Sequence, residues 1–278
     1  MSPVYDCSTD EGRREGVAKA VEAVRAGEIV VLPTDTVYGV GADAFSAEAV
    51  ASLLAAKGRG REMPPPVLVP SVRTVDGLAT DVPAWARDLI REFWPGPLTL
   101  VFKAQTSLMW DLGETNGTVA LRMPQDDIAL AVLSEVGPMA VTSANLTGQP
   151  AATTATDAAS QLGAAVSVYL DGGPTTSTEV STIVDCTGEE FVVLRAGAVT
   201  EEQLRAALEP KEPEQPAEPD QPEQPGEAET TGEATTLPGE ASGTPETDGT
   251  QAIELPADPA TDRNDGTDST LPGDPHER

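Results

Sequence analysis

Hydrophobic positions along the chain fall into two rhythms, one helical and one alternating. Residues 11–27, EGRREGVAKAVEAVRAG, put Val17, Val21 and Val24 at helical spacing and stop at Gly27; the β-branched run EIVVLP follows as a strand. Ser46 is placed to cap a second helix, AEAVASLLAAKG, which ends at Gly58. PVLVP reads as a short strand, and PAWARDLIREFW as a helix opened by Pro83. LTLVFK and TVALRM read as strands, residues 126–136 as a helix, MAVTS as a strand and 154–163 as a helix. VSVYL, STIVD and FVVLR are further strands, and TEEQLRAAL closes the series with Thr200 and Gln203 at capping-box spacing.

The pattern predicts seven or eight strands interleaved with five helices, ahead of the closing TEEQLRAAL helix. Several strands follow one another with no helix between them, as at 166–170, 182–185 and 191–195. A twisted mixed α/β sheet, parallel and antiparallel, flanked by helices is therefore expected rather than a purely parallel one.

The rhythm stops at Pro210, and composition says why. Residues 210–278 hold 18 Asp and Glu against three Lys and Arg, 12 of the 25 prolines and no aromatic residue. Such a segment cannot bury enough apolar surface to offset the entropy of ordering it, so 210–278 is expected to be a disordered acidic tail. Residues 1–209 then form one domain, itself carrying a formal charge of −14 within the total of −29. A domain this acidic is a poor non-specific nucleic-acid binder, because phosphate neutralisation needs surplus cations. No run of 18 apolar residues is present, so no membrane span is expected, and the N-terminus lacks a signal-peptide pattern. Cys7 and Cys186 fit a reduced, cytoplasmic protein better than a disulfide scaffold. The single histidine, His276, lies in the tail, which removes Ser-His-Asp and Cys-His catalysis and His-ligated zinc from the domain. Chemistry there must run on carboxylates, hydroxyls, backbone amides, Lys and Arg.

Four stretches could carry it. VLPTDTVYGVGAD breaks from a strand into hydroxyls and glycines. It reads either as a strand-to-helix turn, with Gly39 and Gly41 at positive φ, or as a polar pocket wall, and it lacks the spacing of a phosphate loop. Tyr38 within it reads as a core residue. KGRGR, with Lys57, Arg59 and Arg61, is the densest positive cluster; it suits a helix C-terminus and also a polyphosphate clamp. Arg122 ends an apolar strand and needs a partner, a carboxylate ligand and a core-edge Asp or Glu fitting equally well. VTSANLTGQPAATT sets Thr142, Ser143, Asn145, Thr147 and Thr153 around a glycine turn after a strand, where α/β sheets commonly bind ligands. TEVSTIVD and VLRAG repeat the theme with Ser181 and Arg195.

Taken in order, PTDTVYGVG, KGR, WPGPLTLVF, TVALRMP, TSANLTGQP, STIVD and LRAG resemble the YrdC-like L-threonylcarbamoyladenylate synthase family across about residues 12–208. The resemblance implies a twisted α/β sheet around a concave basic cavity. It also implies condensation of L-threonine, bicarbonate and ATP into threonylcarbamoyl-AMP and pyrophosphate, for N6-threonylcarbamoyladenosine at tRNA position 37. Under it, Thr36, Arg122, Ser143 and Ser181 contact threonine. Lys57 and Arg59 bind the ATP phosphates and serve catalysis, and Thr118, Asn145, Thr153 and Arg195 line the rest of the nucleotide site. Magnesium is expected with ATP, with no protein-bound metal. Downstream tRNA threonylcarbamoyl-transfer proteins are expected as partners, with a weak direct tRNA contact. Asp35 is the nearest carboxylate for a base or amine-binding role; its turn offers it a capping role instead. The pattern departs from the family at Leu68, where a histidine is usual, and at Met63, where an asparagine is common, so one ligand contact is lost or shifted. Two other readings are open: a non-catalytic RNA-binding YrdC-like module, and a carbamoyl-transfer domain of hydrogenase maturation. The second normally comes with zinc-finger and acylphosphatase-like segments, and the sequence carries none.

Overall fold

A computed structural model describes residues 2–209. The acidic tail expected over 210–278, and the domain boundary drawn at its start, lie outside the described residues. The elements in order are β1 (Val4–Asp6), α1 (Asp10–Arg25), β2 (Val30–Leu32), β3 (Gly39–Asp43), α2 (Ala47–Lys57), β4 (Val67–Leu68), α3 (Val75–Leu78), β5 (Ala79–Thr80) and α4 (Ala84–Phe93). They continue as β6 (Leu98–Ala104), β7 (Thr118–Arg122), α5 (Asp127–Val136), β8 (Met139–Ser143), α6 (Ala155–Leu162), β9 (Val168–Asp171), β10 (Thr182–Asp185), β11 (Val192–Arg195) and α7 (Glu201–Leu208).

Among the described residues, all the strands join one 11-stranded sheet in the order β1-β9-β2-β3-β8-β4-β7-β6-β10-β11, with β5 paired to β6 off that path. Pairing is mixed: β2 is antiparallel to β3 and parallel to β9, and β6 is antiparallel to β7 and parallel to β10. The mixed sheet expected from consecutive strands is thus present. Helix ends follow local chemistry. The Ser46 side chain accepts from the Ala49 amide, and Gly58 closes α2 in the left-handed region at φ 61°. Thr200 and Gln203 form a reciprocal capping box at α7.

Strand alternation divides the interior into two cores. Val31, Val67, Tyr169, Leu98, Leu100, Phe102, Val119 and Leu121 face one side, under α2, α4, α6 and α7. Val30, Leu32, Leu68, Met139, Val141, Val168 and Leu170 face the other, where α1 and α5 pack. On this second face, the residues between the first-core positions of β6 and β7 are Thr99 and Val101, and Thr118, Ala120 and Arg122. They meet a cavity instead of a helix.

Two local expectations fail here. GVGAD is not a turn but strand β3, and neither Gly39 nor Gly41 has a positive φ. Their glycine character answers packing. A Cβ would come within 2.7 Å of a Val141 methyl at Gly39, and within 2.8 Å of the other Val141 methyl at Gly41. Three strands go unread by periodicity, β1, β3 and β5; β1 and β5 are three and two residues long, too short to show an alternation.

Candidate active site

The cavity encloses about 370 Å³ over β3, β4, β6, β7, β8 and β10, and every residue lining it belongs to a strand or loop. Its apolar wall comes from Pro64, Pro65, Pro66, Leu68, Val101 and Val141; its cations are Arg59, Arg122 and Arg195, and among the described residues no carboxylate lines it. Of the residues singled out in the sequence, the fold gathers Thr36, Arg59, Thr118, Arg122, Ser143, Ser181 and Arg195 around this one space. They come from segments up to 159 positions apart.

Arg122 sits at the end of β7, 6% exposed. Its Nε donates to the Gly96 carbonyl at 3.0 Å, one terminal nitrogen to Thr36 Oγ1 at 3.1 Å, and the other to Asp35 Oδ1 at 2.7 Å. Burial lowers its pKa, and the Asp35 charge opposes that shift. Of the two partners open at the sequence level, the core-edge acid is therefore present. A guanidinium has five N–H donors. Three being engaged, two remain. Thr36 in turn is held by Thr34, whose hydroxyl lies 3.0 Å from Thr36 Oγ1 and receives the Thr36 amide at 3.1 Å. Asp35 does not cap its own turn: its Oδ1 also accepts the Gln125 amide at 2.9 Å, tying the β2–β3 loop to the segment after β7.

The other two arginines are held differently. Arg59 donates to Thr142 Oγ1 at 2.9 Å, and its buried Nε–H has no partner among the described residues. Arg195 donates from Nε to the Ser181 carbonyl at 3.1 Å and from a terminal nitrogen to Ser181 Oγ at 3.0 Å. Ser181 Oγ also lies 2.9 Å from Thr99 Oγ1. Neither arginine makes an ion pair among the described residues. Burial lowers the pKa of both; the charges of Arg122 and Arg59 lower that of Arg195 further. Partly desolvated cations crowded around a space free of carboxylates are costly unless an anion completes them. Ser181 shows that the two expected subsites meet, because its hydroxyl is shared with Arg195.

Three expected site residues do not reach the cavity wall. Lys57, 3% exposed, donates its ammonium to the carbonyls of Ser143 and Asn145, the latter at 2.6 Å. Burial, then the Arg59 charge, lowers its pKa to about 8. Lys57 and Arg59 stand two positions apart at a helix end, and residues at that spacing point in different directions. Asn145 spends its amide on the carbonyls of Leu146 and Gln149, both at 2.8 Å, bracing its own loop. Thr153 lies outside the wall, its carbonyl accepting the Thr175 amide at 2.9 Å. Tyr38, by contrast, is both fully buried and part of the cavity wall, its hydroxyl donating to the Gly173 carbonyl at 2.6 Å. Cys7 and Cys186 are buried free thiols. Among the described residues no helix is long and apolar enough to cross a membrane.

Comparison with known proteins gives this geometry relatives. The family model of the Sua5, YciO and YrdC proteins, described as "Telomere recombination", matches residues 22–197. A Mycobacterium tuberculosis H37Rv protein provisionally named threonylcarbamoyl-AMP synthase is 54% identical over 208 residues, which are 75% of this chain and 96% of the relative. Threonylcarbamoyl-AMP synthase of Bacillus subtilis is 38% identical over 197 residues, 70% of this chain and 57% of the longer relative. The crystal structure of P. abyssi Sua5 complexed with L-threonine superposes with a TM-score of 0.71 at 32% identity, covering 74% of this chain and 61% of that one. The chain is a member of the Sua5/YciO/YrdC family.

Proposed function

We propose that the protein is an L-threonylcarbamoyladenylate synthase, making threonylcarbamoyl-AMP and pyrophosphate from L-threonine, bicarbonate and ATP. The observation that carries the proposal is one cavity holding three arginines, of which only Arg122 makes a salt bridge among the described residues, beside the Thr36, Ser143 and Ser181 hydroxyls. The relatives named threonylcarbamoyl-AMP synthase and the threonine complex of a family member support it.

The chemistry suits this inventory. The threonine amine adds to bicarbonate with loss of water, giving a carbamate. A carbamate oxygen then attacks the ATP α-phosphorus, the new bond being carbamate O–P and the bond broken being that to pyrophosphate. The nucleophile is already anionic, so no histidine and no protein base are needed. What the protein supplies is alignment, worth up to about 7–11 kcal/mol in favourable cases, and cations where charge develops. The two remaining donors of Arg122 match the two oxygens of the threonine carboxylate, with Thr36 and Ser143 alongside. Arg59 and Arg195 take the phosphates, with Thr118 on the same wall. Lys57 acts through the Ser143 carbonyl that it holds.

Among the described residues no group of three or more His, Cys, Asp or Glu side chains could hold a metal. Magnesium belongs to this proposal as the ion carried by the triphosphate, part of the substrate. The proposal also places the enzyme in the cytoplasm, handing its product to tRNA threonylcarbamoyl-transfer proteins. An RNA-binding role gains little support from the surface, because the exposed cations Lys19, Arg25, Arg61, Arg87, Arg91, Lys103 and Arg205 are each paired with an acid, leaving Arg14, Arg73 and Arg195 as the exposed cations without a salt bridge among the described residues. The test is pyrophosphate release from ATP and magnesium. Release requiring both threonine and bicarbonate is expected; release without threonine dependence overturns the reading.

A further inference from the structure

Asp35 is the one carboxylate ion-paired with a cavity arginine among the described residues, and it stands behind the wall. Thr34 and Thr36 line the cavity; Asp35, between them, does not, and reaches Arg122 from the far side at 2.7 Å. The pair is nearly sealed from water, with side-chain exposures of 7% for Arg122 and 11% for Asp35. Its position is fixed twice over: by the Gln125 amide on Asp35 Oδ1 and by the Gly96 carbonyl on Arg122 Nε. Arg122 therefore has two spare N–H donors and an acid paired with it, while its charge still reaches Arg195. Arg59 and Arg195 make no salt bridge among the described residues, the Glu62 charge acting on Arg59 without a close contact.

Two anions of different demand must share this space. A carboxylate carries one charge on two oxygens and is satisfied by two well-aimed donors. A triphosphate carries several charges and gains most from unbalanced cations. A neutral ion pair offers the first what it needs and the second much less.

We propose that Asp35 is a positioning and specificity residue: through Arg122 it makes one corner of the cavity a carboxylate seat and keeps phosphates at Arg59 and Arg195. This rests on the synthase reading above. Removing the Asp35 charge leaves Arg122 an unbalanced buried cation, which is costly for the fold and attractive to any polyanion.

The test compares wild type with Asp35→Asn and Asp35→Glu, with a thermal melt of each. In Asp35→Asn, KM for threonine is expected to rise about tenfold or more with kcat within about threefold, and inorganic pyrophosphate should become competitive with threonine. In the wild type it should not compete, and Asp35→Glu should bring the threonine KM back to within a few-fold. A merely structural residue would raise both substrates' KM together, and that result, or an unchanged threonine KM in a folded variant, overturns the proposal. Should Asp35→Asn not fold, the wild type alone decides: calorimetric threonine affinity should change little from about 50 to 500 mM salt, while ATP affinity falls steeply. Equal salt slopes overturn the charge sorting. Threonine titration needs no turnover, so it reads the corner separately from the synthase activity.

Discussion

Two corners of one cavity hold their arginines in opposite ways, one buried at Arg122 and one more open at Arg59 and Arg195. At Arg122, the fold supplies an acid, a carbonyl and a hydroxyl, so the guanidinium is paired before any ligand arrives. At Arg59 and Arg195 the hydrogen-bond partners are hydroxyls and carbonyls with no salt-bridged acid among the described residues, and the charges of Arg122 and Arg59 act on Arg195. The first corner is built for alignment and the second for attraction. A reaction joining a singly charged amino acid to a polyphosphate needs one of each.

The comparison can be broken most forcefully at Arg122. Arg122→Ala should raise the threonine KM by about 10–100-fold, the effect of losing charge-assisted bonds, with a much smaller change for ATP. It also strands Asp35, so a loss of about 3–5 kcal/mol of stability is expected in denaturant unfolding. Equal effects on both substrates would contradict the assigned corner. Arg59→Ala is the mirror experiment: the ATP KM should rise about tenfold and its salt dependence weaken, while the threonine KM stays within about threefold. The smallest effect is expected at Lys57, which touches neither corner directly. Lys57→Met leaves the carbonyls of Ser143 and Asn145 without their donor, so stability should drop by about 1–3 kcal/mol. Both KM values should then rise together by a few-fold; a loss confined to ATP would show that the ammonium works on phosphate itself.

How much of this was legible depends on how far apart the partners stand in the chain. Helix caps at Ser46, Gly58 and Thr200 are contacts within a few residues, and the sequence states them outright. The alternation in LTLVFK and TVALRM was visible as strand. It also carried the cavity, because Thr99, Thr118 and Arg122 occupy the phase opposite to Leu98, Val119 and Leu121; reading the phase across both strands would have shown a polar strip on one face. Gly39 and Gly41 misled, because glycine's commonest meaning is a turn, and only the partner strand, with Val141, reveals the need for space. Asp35 was unreadable for the same reason. Its partner lies 87 positions away, and nothing local distinguishes an acid that caps its turn from one that reaches across the sheet. The same ordered set of motifs named both the residues that assemble in the cavity and Lys57, Asn145 and Thr153, which do not line it. Side-chain direction separates the two cases, and direction is set by tertiary packing.

The account stands or falls on the product. Purified protein given L-threonine, 13C-bicarbonate, ATP and magnesium should yield threonylcarbamoyl-AMP carrying one labelled carbon by mass spectrometry. Omitting threonine or bicarbonate should abolish it. ATP consumed with no such species, or a species formed without the label, would contradict the synthase assignment.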